Sequence, residues 1–146
     1  MSSLVAPAVI AALLLSPGTA LAFEKNGEDE GDRPELDIRA TPRTGFSPLS
    51  VLFTLELKEG DDREDYYCPE LEWEWGDGDR SVQESDCDPW VPGETKIARR
   101  YTARHLFRFS GIYTVTVRLR RVDRTIARIT HRITIRQGAG EQFPQD

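Results

Sequence analysis

Apolar and polar residues alternate with a period of two through most of the middle of the chain, the period of a strand with one dry face and one wet face. Leu71, Trp73 and Trp75 share one parity, with Glu72 and Glu74 between them, and the run then breaks at Asp77-Gly78. An alternating run that ends on Asp-Gly predicts a strand entering a tight hairpin turn, with residues 80–84 as the return strand. The same alternation places Val51, Phe53, Leu55 and Leu57 on one face. Tyr113, Val115, Val117 and Leu119 point inward on a later strand, and Ile129, His131, Ile133 and Ile135 on the last. Residues 36–40 form a short first strand ended by Pro42, and residues 95–101 form another with Ile97 and Tyr101 inward. Pro89 and Pro92 exclude regular pairing around Trp90.

About seven short strands, with no helical period and no internal repeat, predict an all-β fold: a seven-stranded antiparallel sandwich. The Trp73 strand is expected to share a sheet with the last two strands. Tyr113, at the head of its strand, is placed to bond its hydroxyl back to the chain as a tyrosine corner.

Trp73-Glu74-Trp75-Gly76-Asp77-Gly78 is similar to the Trp-Asp-Phe-Gly-Asp-Gly signature of PKD (polycystic kidney disease) domains. His105-Leu106-Phe107 with Gly111-Ile112-Tyr113-Thr114-Val115-Thr116-Val117 resembles the family's second signature, His-x-Tyr followed by Gly-x-Tyr-x-Val-x-Val, with Phe107 in place of Tyr. Residues 40–53 resemble the family's opening strands, so the resemblance spans residues 35–136 in order. It implies an immunoglobulin-like (PKD-type) β-sandwich, a structural role for Trp73, Trp75, Gly76, Asp77, Gly78, His105, Phe107, Gly111 and Tyr113, and an extracellular spacer or binding module rather than a catalyst.

With 38% hydrophobic and 30% charged residues in 146, the composition suits one soluble domain. The ends differ from the middle. Residues 1–22 hold an apolar run and an Ala20-Leu21-Ala22 cleavage pattern, and are read as a signal peptide. Residues 23–34 are read as a flexible acidic leader, residues 35–137 as the sandwich domain, and residues 138–146 as a disordered tail. No transmembrane segment is expected in the mature chain, which is placed outside the cell or in the periplasm or cell envelope.

Export sets Cys68 and Cys87 in an oxidising compartment, where a pair forms a disulfide. With Asp77-Gly78 as a two-residue turn, Gly76 faces Asp79, and the register carried down the hairpin brings Cys68 opposite Cys87. Closing this loop stabilises by about 3 kcal/mol in the chain-entropy model.

Candidate chemistry is sparse. There are only two histidines, no Gly-x-Ser-x-Gly elbow, and no carboxylate in an apolar setting that would suit acid catalysis, so no enzyme, catalytic residue or cofactor is assigned. His105 is read as a hydrogen-bonding residue of the family motif, and His131 as lying at a core margin. Asp61, Asp62 and Asp65 in one loop, and Asp77 and Asp79 in the turn, supply oxygen donors, but neither run has a defined calcium-loop spacing. No metal site is assigned, and Asp77 is expected to bond the turn backbone. Trp90 with Tyr66 and Tyr67 forms either an exposed aromatic platform beside the disulfide or a cover over the end of the core.

Charge divides the chain. Residues 23–94 carry 22 acidic and 7 basic side chains, and residues 95–146 carry 12 basic and 3 acidic, 11 of the basic ones arginine. If the Glu72 and Glu74 strand lies beside Arg118 and Arg120, and that strand beside Arg132 and Arg136, the arginines mainly neutralise the acidic strand. The expectation is therefore a secreted, non-catalytic module that binds an extracellular protein or polysaccharide and no nucleic acid, with a purely structural spacer as the alternative.

Overall fold

The computed structural model describes residues 34–140; the signal-peptide and leader readings, and residues 141–146, lie outside that range. Eight strands are present: β1 (Glu35–Thr41), β2 (Thr44–Phe46), β3 (Leu49–Lys58), β4 (Glu70–Glu74), β5 (Arg80–Gln83), β6 (Arg100–Phe107), β7 (Gly111–Arg121) and β8 (Arg124–Arg136). They form two sheets, one ordered β1-β3-β6 and the other β2-β8-β7-β4-β5. The Trp73 strand shares its sheet with the last two strands, as expected of an immunoglobulin-like fold.

Three expectations change. Among the described residues the strands number eight rather than seven, and they are not all antiparallel: after the break at Pro42 the chain crosses to the other sheet, where β2 pairs parallel with the end of β8, Thr44 beside Thr134. Residues 95–99 are not a strand either. Ile97 is buried, but its amide donates to the Asp62 carboxylate and the Arg99 guanidinium donates to the carbonyls of Glu59 and Gly60. Side-chain bonds to the β3–β4 loop, with one backbone bond from the Leu57 amide to the Arg99 carbonyl at 2.8 Å, thus hold this segment, and regular pairing begins at Arg100.

The core lies between the sheets. Val51, Phe53, Leu55 and Leu57 of β3 face Leu71, Trp73, Val115, Val117, Leu119, Ile133 and Ile135 of the other sheet, all buried. Phe53 is central, with ring centroids 5.5 Å from Trp75 and 6.3 Å from each of Trp73, Phe107 and His131. Trp73 is fully buried, and truncating such a side chain to Ala typically costs about 3–5 kcal/mol. Thr116, on the outward parity, is nevertheless 6% exposed; it sits between Glu74 of β4 and Thr130 of β8 in the register. The Gly138 amide donates to Ser47 Oγ at 3.0 Å, and a Cβ at Gly138 would lie 1.8 Å from the Ser47 carbonyl oxygen, so Gly138 packs closely on Ser47. Among the described residues no helix is long and apolar enough to cross a membrane.

Candidate functional site

The β4–β5 hairpin carries the signature residues, and its turn is one residue longer than the Asp-Gly pattern predicts. Trp73 pairs with Ser81 and Leu71 with Gln83, and the loop closes with the Trp75 amide on the Asp79 carbonyl at 3.1 Å. Gly76, Asp77 and Gly78 are thus a three-residue turn. Gly76 has φ of +86°, and a Cβ there would lie 2.7 Å from the Thr114 carbonyl oxygen of β7; only glycine suits both conditions.

The extra turn residue reverses the parity of β5. Val82, which a two-residue turn would set opposite Trp73, is 53% exposed. Gln83 occupies the inward side instead. Its Oε1 accepts from Trp73 Nε1 at 3.0 Å, and its Nε2 donates to the Thr102 carbonyl of β6, also at 3.0 Å. The side chain therefore joins the edge strands of the two sheets.

A second link closes the same side of the sandwich. His105 of β6 stacks on Trp75 with centroids 4.5 Å apart and planes 3° from parallel, and its Nε2 lies 2.7 Å from Asp77 Oδ2. The other Asp77 oxygen accepts from the Asp79 amide, the turn bond expected of an aspartate here. Burial opposes ionisation of Asp77, but the His105 and backbone bonds outweigh it, and the carboxyl titrates below its ordinary value. Asp77, Asp79 and His105 bring donor atoms within 4.8 Å of one another, the one group among the described residues that could hold a metal ion. The 2.7 Å contact is a hydrogen bond that already uses two of those donors. His131 packs edge-on against Phe53. Tyr113 donates its hydroxyl to the Phe109 carbonyl at 2.8 Å, and its ring lies against Phe107.

At the opposite end of the hairpin, Cys68 and Cys87 form the disulfide with Cα atoms 6.2 Å apart. They are not a register pair, since the ladder ends at Leu71 and Gln83; the odd residue is absorbed in the irregular segments beyond it. The three aromatic residues near the bridge separate. Tyr66, in a single 3-10 turn at Glu64–Tyr66, is 5% exposed and belongs to the core, which withdraws it from a surface platform. Tyr67 and Trp90 remain together, ring centroids 5.3 Å apart, with the Tyr67 hydroxyl donating to the Asp88 carbonyl. Trp90 is half-buried and packs against the core margin. The two rings and the disulfide line an open cleft of about 360 Å³, whose other walls include Glu64, Glu70, Arg120 and Arg121. Arg121 fixes the floor, donating to the carbonyls of Glu64 and Tyr67 and to the Glu64 carboxylate.

The outer face of the five-stranded sheet is charged. Arg118 lies 2.8 Å from Glu74 and 3.6 Å from Glu72, Arg120 reaches Glu70 and Glu72, and Arg80 reaches Glu74 at 3.0 Å. The Arg118 bond holds the Glu74 carboxyl below its usual value. Arg118 and Arg120 therefore neutralise the acidic strand. Arg132 and Arg136 of β8 do not reach it. Asp62 is paired with Lys96 and Arg99, and Asp65 with Arg63 and Arg124.

No family model matches this chain, and no curated protein matches it. Among solved structures it is similar to the PKD domain of an M14-like peptidase from Thermoplasmatales archaeon SCGC AB-540-F20, with 18% identity and a TM-score of 0.47 over 73% of this chain and 99% of that one.

Proposed function

We propose that the chain is an exported, non-catalytic PKD-like module that binds an extracellular protein or polysaccharide through the cleft beside its disulfide. The observation that carries this reading is the Tyr67–Trp90 pair, two aromatic faces on the wall of an open 360 Å³ cleft with carboxylates and guanidinium groups around it. Aromatic faces offer large apolar area with little rotamer entropy to lose, and planar charged groups beside them can bond hydroxyls or a peptide backbone. The Cys68–Cys87 bridge supports export, because such bonds persist in oxidising compartments. The residues that match the PKD signatures support a scaffold role for the hairpin and β6: Asp77, His105, Trp75 and Gly76 bond or pack against one another across the sheets, which leaves the disulfide end to make contacts.

A structural spacer is the second reading. It draws on the same cleft, where the Tyr67 hydroxyl and the Arg121 guanidinium are already bonded to their own chain.

The test is Trp90→Ala on an array of neutral oligosaccharides and extracellular matrix proteins, with melting followed in parallel. Loss of a wild-type signal with a melting point shifted by less than about 3 °C supports the cleft. A large drop in melting with binding retained, or no wild-type signal at all, favours the spacer.

A further inference from the structure

We propose that the outer face of β8 is a separate binding surface for an anionic polysaccharide lying along the strand. The proposal goes beyond the aromatic cleft and uses none of its residues.

Arg128, Thr130, Arg132, Thr134 and Arg136 alternate along β8 and all five are exposed. Their parity puts them on one face. The register sets Arg128 beside Arg118, Thr130 beside Thr116, Arg132 beside Thr114 and Thr134 beside Ile112, so this is the face that carries the Glu–Arg layer. The two halves of the face differ. On the β4, β5 and β7 side, Glu70, Glu72 and Glu74 are matched by Arg80, Arg118 and Arg120. On β8, no carboxylate among the described residues lies within ion-pair distance of Arg128, Arg132 or Arg136.

Direct ion pairing does not explain these arginines. Arg128 stands directly across from Arg118, and like charges so placed destabilise a sheet. Glu72 and Glu74 lie one strand further away and are engaged by Arg118. The charge of Arg128 is felt at Glu74, but neither it nor Arg132 nor Arg136 forms an ion pair among the described residues, and exposed guanidinium groups without one can grip carboxylate or sulfate groups in a fork.

Spacing identifies the polymer. The arginines recur every four residues, roughly 13 Å at about 3.3 Å per residue, with threonine hydroxyls halfway between. A nucleic-acid duplex carries a charge about every 1.7 Å, far denser than this row, and the one exposed aromatic beside it, Phe46 across from Arg136, stands at the end of the row rather than between its arginines. A glycan bearing an acid group on every second or third sugar is better matched, and its hydroxyls can bond Thr130 and Thr134.

The full exported chain is titrated with kappa-carrageenan (one sulfate per two sugars), hyaluronate (one carboxylate per two sugars), neutral dextran and oligo-dT at several salt concentrations. Binding to at least one of the two acidic glycans, and weaker binding to dextran and oligo-dT, is expected; which glycan binds tells sulfate from carboxylate recognition. Arg128→Gln with Arg132→Gln should weaken that binding about tenfold and flatten its salt dependence. Arg104→Gln with Arg108→Gln removes the same charge from exposed sites elsewhere and should change it less than twofold. Arginine side-chain NMR signals of the wild type should shift at Arg128, Arg132 and Arg136, a readout that needs no variant to fold. Equal loss in both double variants, tighter binding to oligo-dT than to either glycan, or no binding to either glycan in about 50 mM salt overturns the proposal.

Discussion

His105 Nε2 and Asp77 Oδ2, 2.7 Å apart, join the two sheets on their open side. Asp77 belongs to the turn of the five-stranded sheet and His105 to the edge strand of the three-stranded one, and both side chains are mostly shielded from water. The folded Asp77 carboxyl titrates below its ordinary value of 3.8. A depressed carboxyl contributes stability that is present above its unfolded pKa and is lost as pH falls through the folded one. Stability should therefore decline below about pH 4. Asp77→Asn should flatten that decline and cost about 1–2 kcal/mol at neutral pH, within reach of a charge-assisted bond. A double-mutant cycle with His105→Gln should give a coupling above about 0.5 kcal/mol; urea melts from pH 2 to 7 supply both quantities, and zero coupling would remove the link.

Gln83 provides a test of register. Gln83→Leu leaves Trp73 Nε1 and the Thr102 carbonyl without their partner, and an orphaned buried polar group costs about 1–3 kcal/mol. Val82→Thr, on the exposed face, should cost less than about 0.5 kcal/mol. A two-residue turn reverses the order, because Val82 would then sit over Trp73. Chemical denaturation of the two variants decides between them.

The parities of β3, β4, β7 and β8 were legible because each strand alternates over at least four residues with bulky apolar side chains on one side. The return strand was not. Arg80-Ser81-Val82-Gln83 has a single apolar residue, which points outward, so its face depended wholly on a turn length that Asp-Gly suggested and Gly76 altered. The disulfide was legible from the pair of cysteines and the expectation of export, although the register used to align them was off by one. Tyr66 and Tyr67 are adjacent and differ in fate because the helical turn that ends at Tyr66 buries it and leaves Tyr67 only partly buried at the core margin, which no periodicity reports. The neutralising role of Arg118 and Arg120 followed from strand order. The isolation of Arg132 and Arg136 required knowing that β8 has no acidic strand on its other side.

Tyr101 carries a hydroxyl that is buried without a hydrogen-bond partner. Burial also raises its pKa above the ordinary 10.0. The unfolded chain then ionises first as pH rises, so stability falls above about pH 10. Tyr101→Phe should remove that dependence at the residue and stabilise by up to about 1 kcal/mol at neutral pH, since the polar group is desolvated with no return. Loss of stability in this variant would show that the hydroxyl has a partner in solution.

Gly76 and Gly78 flank Asp77 in one turn, and both have positive φ, +86° and +100°. Their surroundings differ. A Cβ at Gly76 would meet the Thr114 backbone at 2.7 and 2.9 Å, whereas one at Gly78 meets nothing within 4 Å. Alanine at Gly78 should therefore cost only the conformational term, about 1–3 kcal/mol. Alanine at Gly76 carries the same term and must also push the turn off β7, moving Asp77 away from His105. Gly76→Ala should then be the more destabilising by at least about 1 kcal/mol, and in it the His105 ring signals should shift toward those of the Asp77→Asn variant. Equal costs for the two alanines would mean that the turn does not rest on Thr114, and that the His105–Asp77 bond is held by the turn's own conformation rather than by its seat on β7.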